Sequence, residues 1–392
     1  MIRAGVGQSS HHSTVAAVEE AAGAALAQAG VQAADLGFVV FTVEHAVRRS
    51  ELVETLSQVL GTDRIVGSSA AGILTQAGEI EGSHGIAVLA VSADQVQAET
   101  FVFKPLRERD REIGAEIASV ARRRREQNSL LVLLPDTYNG QPQVFLQTIH
   151  NQAGFVPVVG AGSSESGVAQ ATYQLCGDTL TTNAIAGMHL SGLFHVSTDI
   201  TQGCQPLTEP MVITKAQENL IIEINNRSAI EVFARLLKGP LADDVRRALM
   251  VLFVGLPADP SENSVAGGKY VVRNITGLDP QQGILAVAEQ VREGEAMIFA
   301  FRDGERARDD LSQMLQRQSG KLANKKPAFG FYFNCCARGR SLYGIPGIDS
   351  AYITQSLGEF PLIGMFGGYE LAPLGAANHL FAYTGVLALI TE

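Results

Sequence analysis

Cysteine is scarce and poorly spaced for metal. The chain has four, Cys176, Cys204, Cys335 and Cys336, and none falls in a CxxC or other zinc spacing. With 392 residues it is long enough to bury a large core without disulfides, so a reducing cytoplasm is the expected compartment. No charged-then-apolar leader opens the chain; Met1-Ile2-Arg3 runs straight into a strand-like start. Gly, His, Asn or Thr breaks every apolar run well short of the roughly 18 residues that a membrane span needs, so none is expected. Positive charge is also in short supply. A net charge of -10 argues against nucleic acid as a partner, because phosphate contacts need a basic surface. The one basic run, Arg122 to Arg125, follows Ile113, Ile117 and Val120 and reads as a solvated helix end.

The common catalytic signatures are missing as well. There is no Walker A loop and no GxGxxG after a first strand. No serine lies in GxSxG; Gly162-Ser163-Ser164-Glu165 lacks the second glycine. His11, His12, His150, His189 and His195 show no HxxxH or HExxH spacing, so no metal site is expected from them. A thiol hydrolase or transferase built on Cys335 needs a histidine against it, and His379 is the nearest in sequence.

What is present is a globular composition, 46% apolar and 18% charged, with 40 glycines gathered into clusters. The clusters mark a repeat. An apolar strand leads into an amphipathic helix, then a short strand ending in glycine, a small-residue loop and a hairpin-like pair. The first copy starts at Gly37–Phe41, has its helix near Glu51–Leu60, and reaches Gly67-Ser68-Ser69-Ala70-Ala71-Gly72. The second starts at Leu130–Leu134, has its helix near Gln143–Gln152, and reaches Gly160-Ala161-Gly162-Ser163-Ser164. The third starts at Phe329–Phe333, reaches Pro361-Leu362-Ile363-Gly364 and closes with His379–Ile390. Gly67 and Gly160 are 93 residues apart, and Gly160 and Gly364 are 204 apart. The doubled gap suggests a diverged fourth copy, with strands at Ala248–Val254, Tyr270–Ile275 and Ile284–Ala288. A helix is expected over Ser228–Leu237, with Ser228 and Glu231 as a capping box. The polar segment Gln316–Lys326 reads as an exposed connection. The expected class is α/β (α+β mixed): repeated strand–helix–strand–Gly loop–hairpin units forming two packed mixed-sheet domains, 1–215 and 216–392.

Each Gly loop follows an apolar strand, where α/β proteins place ligands, and its backbone N–H groups and hydroxyls suit carboxylates or phosphates. Ser68, Ser69, Ser163 and Ser164 are the candidates in the first two loops. The third adds stronger chemistry. Asn334-Cys335-Cys336-Ala337-Arg338-Gly339-Arg340 sets thiols and guanidinium groups at a strand end. There Arg338 is suited to a carboxylate, and the arginines favour thiolate at a cysteine. Gly364-Met365-Phe366-Gly367-Gly368-Tyr369-Glu370 then brings Glu370, suited to an amine or to pairing with Arg338.

These segments resemble the FIST sensory-domain family. The family pattern has a Cys before Arg-Gly, then Pro-x-x-Gly-x-Phe-x-x-x-Glu-x-x-Pro. Cys335, Arg338, Gly339, Pro361, Gly364, Phe366, Glu370 and Pro373 keep it. Val271–Pro280, with Arg273 and Asn274, and the Gly67 and Gly160 loops are similar too. Tyr369 and Ala372 stand where the family has glycine. The resemblance implies an N-terminal and a C-terminal FIST half and an input function for small ligands, amino acids among them. Cys335, Arg338, Gly339, Gly364, Phe366, Gly368 and Glu370, with Arg273 and Asn274, would then line the site. Output would pass to a partner such as a histidine kinase or cyclase. No cofactor is expected, although haem-linked nitric oxide sensing beside a histidine kinase is known in stand-alone members.

Overall fold

The computed structural model describes residues 1–123, 128–259, 261–323 and 325–392. Arg124 and Arg125 of the basic run lie outside them. No helix among the described residues is long and apolar enough to cross a membrane.

The chain divides into two compact units. The larger takes Met1–Thr201, Leu311–Leu380 and Thr384–Glu392; the smaller takes Gln202–Asp310 with Phe381–Tyr383. The division expected near residue 215 falls inside the smaller unit. The mixed α/β class holds.

The larger unit is the repeat, three times over, and its full form is longer than the sequence pattern suggested. Each copy begins with an outer strand: Ile2–Ser9, Val96–Phe103 and His195–Gln202. A first helix follows, Thr14–Ala29, Asp110–Arg122 and Gly304–Leu322, and then a central strand, Leu36–Phe41, Asn128–Pro135 and Phe329–Cys335. A second helix, Arg49–Leu60, Pro142–Ala153 and Ile348–Leu357, leads to a strand parallel to the central one, Ile65–Ser69, Val158–Ala161 and Leu362–Gly367. After the Gly loop and hairpin, a return strand runs antiparallel to the central strand: Ile86–Ala93, Ile185–Gly192 and Thr384–Thr391. Each sheet therefore has the same order: outer, return, central, parallel.

The hairpins are exchanged. The first copy's hairpin extends the third sheet, pairing Ile73 with Met365. The second copy's extends the first, pairing Gln174 with Ser68. The third copy's extends the second, pairing Glu370 with Ala161. This closes a ring of three six-stranded sheets with cyclic pseudo-threefold connectivity. The helices bury their apolar faces against their own sheets. Leu311, Met314, Leu315 and Ile353, for example, cluster with Tyr332, Leu387 and Leu389 in the third copy.

Register fixes which residues are equivalent. Val39 pairs with Gly67, Leu133 with Gly160, and Tyr332 with Gly364. A Cβ on these glycines would stand 2.1, 1.9 and 2.4 Å from the Val39, Leu133 and Tyr332 carbonyl oxygens. Close strand approach thus explains the glycine that punctuates each copy.

The smaller unit corrects the expected fourth copy. It has no parallel strand pair among its described residues. Met211–Gln217, Leu220–Ile224, Ile284–Val287, Tyr270–Asp279, Leu252–Pro257 and Ala296–Arg302 pair antiparallel in that order, and the last pairs back to the first. The result is a closed ring of six strands. It is an insert in the third copy, entering after the outer strand, and the chain leaves it within helix Gly304–Leu322. Taking its 109 residues, Gln202–Asp310, from the 204-residue gap leaves 95, close to the first spacing of 93.

Two local expectations also change. The Gln316–Lys326 segment is mostly the end of that helix, whose apolar side is buried, and not a connection. Ser228 does precede a helix, Ala229–Ala234, but forms no capping box; its hydroxyl donates to the Gly283 carbonyl at 3.1 Å.

Candidate functional site

The cyclic exchange brings the three Gly loops together. Ser69 Oγ donates to the Ser164 carbonyl at 3.0 Å, and Ser164 N–H donates back to the Ser69 carbonyl at 3.1 Å. Ser164 Oγ accepts from Ala71 N–H at 2.9 Å and donates to the Phe366 carbonyl. Gly162 N–H reaches the Tyr369 carbonyl, and Gly368 N–H reaches the Gly162 carbonyl, both at 2.9 Å. Ser68 Oγ lies 3.9 Å from Met365 Sδ. The loops thus form one junction, to which every copy contributes. Ser164 touches all three, so Ser164→Ala is expected to cost about 1–2 kcal/mol in urea unfolding through its lost buried hydrogen bonds.

Most of the residues expected from sequence sit at or beside this junction. Ser68, Ser69, Ser163, Ser164, Gly364, Phe366, Gly368 and Glu370 belong to the loops or the strands that feed them. Cys335 ends the third central strand, buried, and Cys336 N–H donates to the Gly367 carbonyl at 2.8 Å. Gly339, at φ 56°, lies so close to Phe366 that a Cβ would stand 2.6 Å from its ring. Arg273 and Asn274 belong to the smaller unit. Arg273 pairs there with Glu289 at 3.0 Å, and Asn274 bonds the Tyr383 hydroxyl at 3.0 Å.

Arg338 is fully buried, at 0% exposure, and already has an anion. Its Nη2 donates to Asp349 Oδ1 at 3.1 Å and to the Tyr343 hydroxyl at 2.7 Å. Asp349, equally buried, also accepts from Asn334 Nδ2 at 2.7 Å and from Tyr343 at 2.9 Å. Burial opposes the guanidinium charge. Asp349, then Tyr343 and Tyr332, outweigh that and hold its pKa above the ordinary value. The expected Arg338–Glu370 pair is not formed. Glu370 Oε2 instead accepts from Thr384 N–H at 3.2 Å and Thr384 Oγ1 at 2.7 Å. Burial pushes the Glu370 carboxyl well above the usual range; Cys335 adds to this, while Thr384 and the Arg338 charge pull it back.

The first copy's hairpin completes the surroundings. Glu79 accepts from Gly347 and Ser350 N–H at 2.8 and 3.0 Å, capping the helix that carries Asp349. Burial, then the Asp349 charge, raises its pKa. Glu81 accepts from Arg340 N–H at 3.0 Å. Sequence reasoning missed Asp349, Tyr343, Glu79 and Glu81. Asp349 was accessible as the acidic residue of a helix's first turn; the two glutamates arrive only through hairpin exchange.

Around this pair several buried polar atoms have no partner: Arg338 Nη1, Asn334 Oδ1, Tyr332 hydroxyl and Glu370 Oε1. Two of the four have apolar equivalents in both other copies. Val39 and Leu133 stand for Tyr332, and Phe41 and Pro135 for Asn334. The fold forms twice without the Tyr332 hydroxyl and the Asn334 amide, so it does not require those two.

Relatives extend over the whole chain. An uncharacterized protein of Mycobacterium tuberculosis is 28% identical over 392 residues, covering 100% of this chain and 99% of its own. A second from that organism is 27% identical over 100% of both chains. Among solved structures, a chorismatase matches 83% of this chain and 86% of its own at TM-score 0.30 and 9% identity. A cyanuric acid hydrolase from A. caulinodans matches 49% and 71% at TM-score 0.29 and 11% identity. Likeness at that level indicates neither fold nor activity. The family models are decisive: a FIST N domain matches residues 35–227 and a FIST C domain 229–373. With most of its length so matched, the chain belongs to the FIST family of signal-transduction sensory domains.

Proposed function

We propose that this FIST chain senses a small carboxylate, an amino acid or organic acid, bound around Arg338 in the third copy, and reports to a separate protein such as a histidine kinase or cyclase. The observation that carries the reading is the unmet hydrogen-bonding capacity of Arg338 Nη1, Asn334 Oδ1 and Tyr332 hydroxyl. Leaving such atoms buried and unpaired costs about 1–3 kcal/mol each, and the other two copies fold with apolar residues at the Asn334 and Tyr332 positions. A carboxylate on Nη1 would compete with Asp349 for the guanidinium. Asp349 lies in the first turn of helix Ile348–Leu357, so a change of partner at Arg338 would move that helix and transmit occupancy to the surface. Glu370 Oε1, likewise unpartnered, would accept from a ligand amine.

A thermal-shift screen of amino acids and organic acids tests this. A ligand at 100 times its Kd adds about 2.7 kcal/mol, or about 3 °C in Tm for a cooperative chain of this size. Tyr332→Phe removes only an unpartnered hydroxyl, so it should fold as well as wild type and bind about tenfold more weakly. A screen in which nothing shifts wild type, or in which wild type and Tyr332→Phe respond alike, defeats the reading.

A further inference from the structure

The ring of three sheets has a second end. The Gly loops follow the ends of the parallel strands. Where the central strands begin and the return strands finish, the larger unit holds a cavity of about 370 Å³. Its floor is apolar and comes from all three copies: Leu36 and Val91 from the first, Leu190 from the second and Phe329 from the third, each 5% exposed or less. Its rim is charged. Asp35, Asp94 and Glu99 line it, against one cation, Arg64. Asp35 accepts at Oδ2 from Ser92 Oγ at 2.8 Å and from Ala93 N–H at 3.0 Å, and its Oδ1 has no hydrogen bond among the described residues. Glu99 pairs with Arg123, and Asp94 with the Met1 amino group at 3.4 Å. Both pairs are open to solvent, and such pairs are weak and readily exchanged. The two remaining charges are peculiar to the first copy. Register puts Ser129 and Ala328 at the Asp35 position, and Pro157 and Pro361 at the Arg64 position, so the fold is built twice without them.

We infer that this cavity is a second ligand site, separate from the one around Arg338, for an organic amine with an apolar body. Its volume falls in the range of small-molecule pockets, and an apolar floor with a few charged groups at the mouth is how such pockets hold and orient a ligand. The lining carries three carboxylates to one guanidinium, so its field favours a cation. The chain's net charge of -10 acts in the same direction. Asp35 Oδ1 offers an ammonium group a charge-assisted hydrogen bond. The alkyl or aryl body would displace water from Leu36, Val91, Leu190 and Phe329. Arg64 acts against a cation and for an anion. It is exposed, and its guanidinium has no partner among the described residues. The effect of removing it therefore reports the sign of the charge that the cavity accepts.

The test uses the full chain and three probes that share one apolar body and differ in charge: phenethylamine, 2-phenylethanol and 3-phenylpropionate. Titration calorimetry at low salt gives their dissociation constants. The amine is expected to bind once per chain and about tenfold more tightly than the alcohol, and the acid should not displace it. Asp35→Asn should weaken the amine about fivefold, and Arg64→Gln should tighten it about threefold. Arg64→Gln removes only an exposed, unpartnered group, so that chain is expected to fold; thermal midpoints check both variants. Glu54→Gln, the same loss of charge on an exposed position of helix Arg49–Leu60, should leave the amine unchanged. The inference fails if no saturable binding of the amine is found, if the alcohol binds as tightly, or if the acid displaces it. It fails equally if Arg64→Gln weakens the amine, or if Glu54→Gln matters as much as a folded Asp35→Asn chain.

Discussion

Arg338→Met is expected to lower stability by about 3–5 kcal/mol, a drop in Tm of roughly 4–6 °C for a cooperative chain of this size. Methionine fills much of the same space, so little of this loss comes from packing. The loss arises because Asp349, with 0% exposure, is left as a buried anion that only Asn334 and Tyr343 still serve. Asp349→Leu should be similarly severe, since it strands the guanidinium. The double variant Arg338→Met/Asp349→Leu should recover most of either loss, because an apolar pair of similar volume often replaces a buried ion pair without net cost. Urea unfolding of the four chains gives the coupling energy directly. Single losses that simply add would show that the two charges do not depend on each other. The double variant also separates structure from sensing: a refolded chain without a guanidinium should give no shift with the ligand that stabilises wild type.

The asymmetry between Arg338 and its partner also marks the limit of what the sequence shows. Glycine within each parallel strand is a local steric demand, so Gly67, Gly160 and Gly364 announce the repeat and place the loops that follow. The central strands and second helices follow from apolar periodicity, which depends only on neighbours within a few residues. Hairpin exchange has no local signature, since Ile73–Met365, Gln174–Ser68 and Glu370–Ala161 join segments far apart in the chain. The convergence of the loops, and the arrival of Glu79 and Glu81 beside Arg338, were hidden with it. The insert misled for a related reason. A strand in an antiparallel ring and a strand in a parallel pair bury similar apolar runs, so Leu252–Pro257 and Tyr270–Asp279 looked like another copy.

His45→Asn should remove a pH dependence of about 3 kcal/mol. In the unfolded chain His45 titrates near the ordinary histidine value of about 6.5. In the folded chain burial and the neighbouring His84 lower it to about 4. The unfolded state therefore takes up the proton first. Stability that His45 supports in full above pH 6.5 is lost as pH falls toward 4, and at about 1.4 kcal/mol per pKa unit the total approaches 3 kcal/mol. The quantity to measure is the difference between wild type and His45→Asn, by urea unfolding from pH 4 to 7. Taking the difference matters because Glu370 and Glu79, whose pKa values are raised, act with the opposite sign. They hold protons that the unfolded chain releases, so their contribution declines as pH rises above the ordinary carboxyl range. A difference that stays flat across this range would mean that His45 is not held neutral in the fold.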